Sequence, residues 1–324
     1  MRKPYISFVM AARNDNYGGN FLHRVQISVN SLLMLCEKQN LDAELIIVEW
    51  NPPPNAPKLA EVLAWPKNLK FAGVRFIEVP NEIHRKLPNS DKMPMFEYVA
   101  KNVGLRRSKG EYVLATNSDI IFSAELVSFL ALKELSQECF YRIDRYDVEK
   151  LVPLDISIEK QLEFCAKYWV RVYTIKGDIK RSYRFLDYQY LRSLGARLIN
   201  HPIARIHTNA SGDFFLMHRD HWHSLRGYPE LPTHAHTDSH MCFMAASSGL
   251  SQIILSDKKR IYHQGHMRPG DTRHYYFTKQ SIMDGWLLAK RAKRMMDLKQ
   301  PLIMNDEKWG LGEENLPHTS IPLN

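Results

Sequence analysis

Residues 110–123 read GEYVLATNSDIIFS. Residues 112–115 form a short apolar run of the kind that makes a buried strand. The run stops at Asn117-Ser118-Asp119, and the apolar pair Ile120-Ile121 follows at once. A carboxylate at the end of a buried strand is costly to desolvate unless it is paired or binds a cation. The position suits a hard divalent ion such as Mg²⁺ or Mn²⁺, which takes oxygen ligands and can neutralise a diphosphate. The competing reading is a capping Asp in an ordinary strand-to-helix turn. The surrounding chain weighs toward the cation.

Upstream, residues 6–11 read as a first strand that ends in Ala12-Arg13-Asn14-Asp15. Residues 21–36 follow with Phe21, Val25, Val29, Leu32, Leu33 and Leu35 at helical spacing. A second buried strand, ELIIVE at 44–49, is stopped by the Pro-rich turn at 51–57. A short helix at 59–63, a third strand at 74–79 and a helix at 96–105 lead into the opening stretch. Strands alternating with helices predict an α/β sheet of mostly parallel strands. In such sheets ligands sit beyond the carboxyl ends of the strands. Asp15, Glu49 and Asp119 all fall at such ends, which predicts a nucleotide site with a metal.

These residues resemble the GT-A glycosyltransferases, particularly the large inverting family that includes cellulose synthase and many capsule and lipopolysaccharide enzymes. Ala12-Arg13-Asn14 matches that family's first polar turn, and Glu49 its nucleoside-holding acid. Ala100-Lys101-Asn102-Val103-Gly104 and Gly110-Glu111-Tyr112-Val113-Leu114 match its A-R-N-x-G helix and the strand ending in DxD. Asn117-Ser118-Asp119 departs from DxD at its first position and keeps the acid that usually contacts metal. The resemblance implies a Rossmann-like nucleotide-binding sheet merged with an acceptor-binding half. It places Arg13, Asp15, Glu49, Asn102 and Asn117 at the sugar nucleotide, and Asp119 at the metal. The expected donor is a UDP-sugar, with a GDP-sugar as the alternative.

Past the opening stretch, CFYRIDR at 139–145 reads as another strand. Residues 146–209 have little regular pattern and read as an insertion that shapes the acceptor site. Within them, 159–172 suggest an amphipathic helix, and 181–192 a half-buried helix whose arginines snorkel. The second informative stretch is ASGDFFLMHRDHWHSLRGYPE at 210–230. Gly212, Arg219, Trp222 and Gly227-Tyr228-Pro229-Glu230 occupy places of the family's segment beneath the acceptor. The resemblance then puts Asp238, at the head of the next helix, in the catalytic-base position. A carboxylate there also serves as a helix cap. A late His completes the metal site in several GT-A enzymes, and His263 and His266 are both candidates. Arg268 and Arg273 are placed to neutralise a diphosphate leaving group.

Three other readings compete. His234, His236, Asp238 and His240 stand one residue away from the HxHxDH pattern of metal-dependent hydrolases, where imidazoles bind Zn²⁺. A nucleotidyltransferase also uses carboxylates and a metal on an α/β sheet, but its Gly-rich, Lys-containing N-terminal signature is absent. A non-catalytic protein that binds glycan or nucleic acid through the basic, aromatic stretch is the third.

Composition bounds the rest. The 324 residues are 44% hydrophobic and 24% charged, with net charge +9. That balance is globular and favours acidic partners without choosing among them. Cys36, Cys139, Cys165 and Cys242 are scattered, which points to reduced thiols. The N-terminal apolar run is broken by Arg13 and lacks a cleavage site, so it reads as a strand and not a signal peptide. No apolar run approaches membrane-spanning length, and a cytoplasmic protein is expected. Residues 279–299 predict a helix packed through Ile282, Trp286, Leu287 and Met295. Its Lys290, Arg291, Lys293 and Arg294 form a solvated basic face, or one that touches an anionic membrane peripherally. Three regions result: a nucleotide-sugar half at 1–135, an acceptor-binding and catalytic half at 136–275, and a C-terminal helix and tail at 276–324. The expected partners are a nucleotide sugar and a hydroxyl acceptor such as a glycan, with no nucleic acid.

Overall fold

The structure, a computed structural model, describes residues 3–181, 205–231, 236–266 and 285–323. In chain order the first part supplies β1 (Ile6–Ala12), α1 (Phe21–Lys38), β2 (Ala43–Trp50), α2 (Leu59–Val62), β3 (Ala72–Val79), α3 (Asn81–His84), α4 (Glu97–Arg106), β4 (Tyr112–Asn117), β5 (Ile120–Phe122) and α5 (Ala124–Ala131). There follow β6 (Cys139–Ile143), β7 (Arg145–Val148), α6 (Ile158–Tyr168), β8 (Trp169–Thr174), β9 (Gly177–Lys180) and β10 (Phe214–His218). The last part holds α7 (Arg219–Ser224), α8 (Thr237–Ser247), β11 (Ser251–Leu255), β12 (Ile261–Gln264), α9 (Gly285–Leu298) and β13 (His318–Ile321).

Eight strands form one mixed sheet in the order β11-β6-β10-β4-β1-β2-β3-β13. β4, β1, β2 and β3 are parallel, as the alternation of strands and helices predicts. β10 runs antiparallel between β4 and β6, and β13 is antiparallel to β3 at the far edge. The fold is therefore mixed α/β. β1 and β2 are buried along their whole length because helices cover both faces of the sheet. One apolar layer packs α1 and α5 on Phe8, Leu45 and Leu114. The other packs α4, α7, α8 and α9 on Val9, Ile46, Val113 and Phe215.

A second sheet has the order β5-β12-β7-β8-β9. Much of the stretch read as an irregular insertion is thus β-structure. The segment at 159–172 is also not one helix, since α6 ends at Tyr168 and the chain continues extended as β8. β-branched and aromatic residues at 169–173 favour a strand once a sheet edge is available, a tertiary condition that periodicity does not report. In the C-terminal tail, β13 closes the sheet edge on β3. Residues 182–192, His234, Arg268 and Arg273 lie outside the described residues.

All four cysteines are buried free thiols. Among the described residues no helix is long and apolar enough to cross a membrane.

Candidate active site

Strand register gathers the polar ends. Ala12 pairs with Glu49 across β1 and β2, and Ala11 with Asn117 across β1 and β4. The segments carrying Arg13, Asp15, Glu49 and Asp119 therefore leave the sheet at one edge. Arg13 donates from Nε to the Asn51 carbonyl at 2.8 Å and from Nη1 to Asp15 at 2.5 Å. The two side chains expected at the nucleotide are thus a pair, tied to the end of β2.

Asp119 sits in the turn between β4 and β5, and β12 supplies its neighbours. His263 lies opposite Ile120 on one side and Asp147 on the other. Its Nε2 is 3.7 Å from Asp119 Oδ2, and its Nδ1 is 3.4 Å from Asp147 Oδ1. His266 Nε2 is also 3.7 Å from Asp119 Oδ2. One donor atom from each of Asp119, His263 and His266 lies within 4.8 Å of the others. Both candidate histidines are therefore brought to the acid.

Two devices hold this geometry. Gln264 is buried, and its side chain donates to the Arg24 carbonyl at 2.8 Å while its backbone N–H donates to the Asp119 carbonyl at 3.2 Å. Gly265 then lets the chain pass close to the end of β7, because a Cβ there would stand 2.8 Å from the Glu149 backbone. From above, the loop after β1 closes on His266. Gly18 has φ +70°, and a Cβ on it would meet the His266 ring at 2.5 Å. Tyr17 stands edge-on to the same ring, with centroids 5.3 Å apart. Arg24, which is 2% exposed, supports this loop by donating to the carbonyls of Tyr17 and Gly19. Its Nε lies 3.7 Å from Asp119 Oδ2.

The electrostatics favour positive charge at this point. Burial works against a protonated His263, but the Asp119 charge and the Asp147 contact outweigh it, and its pKa is raised. Burial raises Asp147, yet His263 and Arg145 more than offset it and hold its carboxyl below the usual range. Two imidazoles and a carboxylate, with a second carboxylate behind one imidazole, make a donor set that fits a divalent transition ion. Nitrogen ligands suit Mn²⁺ better than Mg²⁺, which prefers oxygen throughout.

Behind this group lies a buried polar chain that sequence reasoning missed. Arg145 donates to Asp213 at 2.6 Å and pairs with Asp147 at 2.9 Å. Asn117 donates to Asp213 at 2.7 Å and accepts from Lys101 Nζ at 2.5 Å. Lys101 is fully buried and also donates to Glu97 and to the Gly212 carbonyl. The expectation that Asn117 contacts the nucleotide meets an amide already committed to Asp213 and Lys101. The only sequence signal for Lys101 is its place in Ala100-Lys101-Asn102-Val103-Gly104, where the resembling family carries Arg.

Asn102, also expected at the nucleotide, is fully buried as well. It donates to the Tyr228 carbonyl at 2.8 Å and to Glu230 at 3.0 Å, and accepts from the Tyr228 N–H at 2.8 Å. Its role is to lock α4 to the Gly227–Glu230 turn, because both amide hydrogens are used there and the side chain is fully buried. Asp238 stands in the first turn of α8, half-buried. Its Oδ2 accepts from the Gly212 N–H and its Oδ1 from the Ser239 N–H, each at 2.8 Å. His240 points elsewhere: it is fully buried, with Nε2 3.2 Å from the Leu302 carbonyl, and burial pushes its pKa down to about 4. Asp238 and His240 therefore serve different partners, against the hydrolase pattern.

Glu49 is 3% exposed and accepts from the Leu59 N–H at 2.8 Å. Burial raises its pKa to about 7, against the opposing hydrogen bond from Leu59. The folded state thus holds a proton that the unfolded state releases near the ordinary value of 4.5. Stability is lost as pH rises between these values, by about 3 kcal/mol in full. Glu49→Gln keeps the acceptor and removes the charge. Urea unfolding at pH 5 and pH 8 should show the variant gaining on the wild type by about that amount at the higher pH. A difference that does not change with pH would show the carboxylate to be solvated.

No protein-family profile matches the sequence, and no curated protein sequence matches it significantly. Among solved structures, a mannosyltransferase from Pyrobaculum calidifontis, in complex with GDP-Man and Mn²⁺, is similar at 15% sequence identity with a TM-score of 0.41. The match covers 85% of this chain and 60% of that one. A likeness this distant does not assign a family.

Proposed function

We propose that this protein is a metal-dependent glycosyltransferase of GT-A architecture, moving a sugar from a nucleotide sugar to an acceptor hydroxyl. One observation carries the reading: Asp119, His263 and His266 converge at the edge where β1, β2 and β4 end. Those three residues would hold Mn²⁺, which when bound supplies positive charge for the departing nucleotide diphosphate. Asp147 stands 3.4 Å from His263 Nδ1, on the side of the ring away from the Nε2 that faces Asp119. Arg13, Asp15 and Glu49 line the nucleoside side. Residues 1–135 and 136–275 act as donor and acceptor halves built on one shared sheet.

Asp238 is the general base that takes the acceptor proton. Its two N–H partners fix the carboxylate in place, and each oxygen keeps a lone pair beyond the one it uses. A single base and in-line attack give inversion at the anomeric carbon.

The test is calorimetric binding of UDP, GDP and CMP, each with Mn²⁺, with Mg²⁺ and with chelator. The expected result is one nucleotide bound at least tenfold more tightly with Mn²⁺ than with chelator, and Mg²⁺ acting less well. The donor sugar then follows from turnover with sugars of that nucleotide. If no nucleotide binds in any arm, the transferase reading is wrong.

A further inference from the structure

The helix α9 was expected to pack through Trp286, and it does not. Leu288, Ala292 and Met295 are buried, a stripe at i, i+4 and i+7 that meets the core beneath α8. Trp286 falls outside that stripe and is 71% exposed. Lys290, one turn on, lies with Nζ 5.4 Å from the Trp286 ring centroid. Lys293 and Arg294 are also exposed on the outer surface, where Asp297 pairs with Lys293 at 2.5 Å. Leu298 closes the same helix 60% exposed. The outer surface thus carries three cations, one acid, and an apolar side chain near each end.

We infer that this outer surface of α9 docks on an anionic lipid bilayer. The helix's own apolar stripe is already used by the protein core, so attachment is electrostatic, with Trp286 as the anchor at headgroup level. Bases near an anionic bilayer act additively and through a range set by salt. An exposed indole flanked by cations suits the headgroup boundary, and exposed Leu298 offers nothing to a nucleic-acid backbone. The chain's net charge of +9 acts in the same direction.

The placement also bears on the acceptor, a consequence that rests on the transferase reading. A Cβ at Gly285, where α9 begins, would stand 4.0 Å from His236 Nε2, two residues before Asp238. Docking here brings the start of α8, which carries the proposed base, close to the bilayer, which fits an amphiphilic acceptor carried in the membrane.

The experiment is co-sedimentation of the full chain with vesicles of phosphatidylcholine alone, and of phosphatidylcholine with about one-third phosphatidylglycerol. No nucleotide or metal is present, so the result is independent of the transferase test. Wild type is expected to bind the anionic vesicles and not the neutral ones, and to release in 0.5 M salt. Losing one base near the surface should weaken partition about fivefold, so Lys290→Gln, Lys293→Gln and Arg294→Gln combined should weaken it about a hundredfold. Trp286→Ala should weaken it less and remove a blue shift in indole emission on binding. Failure to bind anionic vesicles, equal binding to neutral ones, or insensitivity to the triple substitution overturns the inference. So does binding of a single-stranded RNA, or self-association of the free chain, that depends on these residues when vesicles are ignored. All four side chains are exposed, so unchanged thermal melts are expected; should the triple variant fold poorly, the neutral-lipid and salt arms still decide.

Discussion

Asp119→Ala should lower Mn²⁺ affinity at least about 100-fold and abolish metal-dependent nucleotide binding. The basis is geometric: Asp119 Oδ2 is the point that both His263 and His266 approach, at 3.7 Å each. Without it two imidazoles remain, and Arg24 loses its nearby carboxylate while buried at 2% exposure. Some loss of stability, about 1–3 kcal/mol, is therefore expected with the loss of metal. Asp119→Asn keeps the volume and separates the two effects, because it too should bind no metal. Asp147→Asn should weaken Mn²⁺ about tenfold, the usual cost of disturbing a residue that orients a ligand. His240→Ala should leave metal affinity unchanged, since that ring faces the Leu302 carbonyl. Manganese titration followed by electron paramagnetic resonance reads all four variants directly. Metal affinity that survives Asp119→Ala, or falls with His240→Ala, would place the metal elsewhere.

The second large effect is on stability. Asp213 is 3% exposed and joins Arg145 to Asn117. Truncating one member of a buried pair strands its partner, at a cost of about 3–5 kcal/mol, and Asp147 compensates Arg145 only in part. Asp213→Ala should therefore destabilise the protein by about that amount in urea unfolding. Arg145→Met in the same chain should restore part of the loss, because the stranded charge goes with it. Burial raises the Asp213 carboxyl, but Arg145 and His263 prevail and hold it below the ordinary range. Its contribution is present above the unfolded carboxylate pKa and disappears as pH falls through the lower folded value. Wild type and variant should accordingly converge in stability toward acid. A loss under about 1 kcal/mol near neutral pH would mean that Asp147 or water, not Asp213, satisfies Arg145.

Asn117 shows why part of the site was not readable. By sequence it is a DxD motif lacking its first acid. In the fold its amide gives an N–H to Asp213 and takes one from Lys101, which no carboxylate does. An Asp at 117 would set two carboxylates face to face, so the amide answers a neighbour 96 residues away in sequence. Asn102 carries the same lesson in reverse, since its motif suggests a ligand contact and its surroundings make it a packing residue. Trp286 does likewise, because its place relative to the buried stripe depends on which face of α9 meets the core.

What the sequence determined by itself was the set of buried strands, the acids at their ends, and the candidates His263 and His266. Strand runs and helical spacing encode burial locally, and a polar break after an apolar run is local too. Tertiary structure decided the partners. Register sets His263 between Ile120 and Asp147, and the antiparallel pairing of β10 sets Asp213, just before it, beside the end of β4. Such contacts join residues distant in the chain, and periodicity reports that a side chain is buried but not what it is buried against.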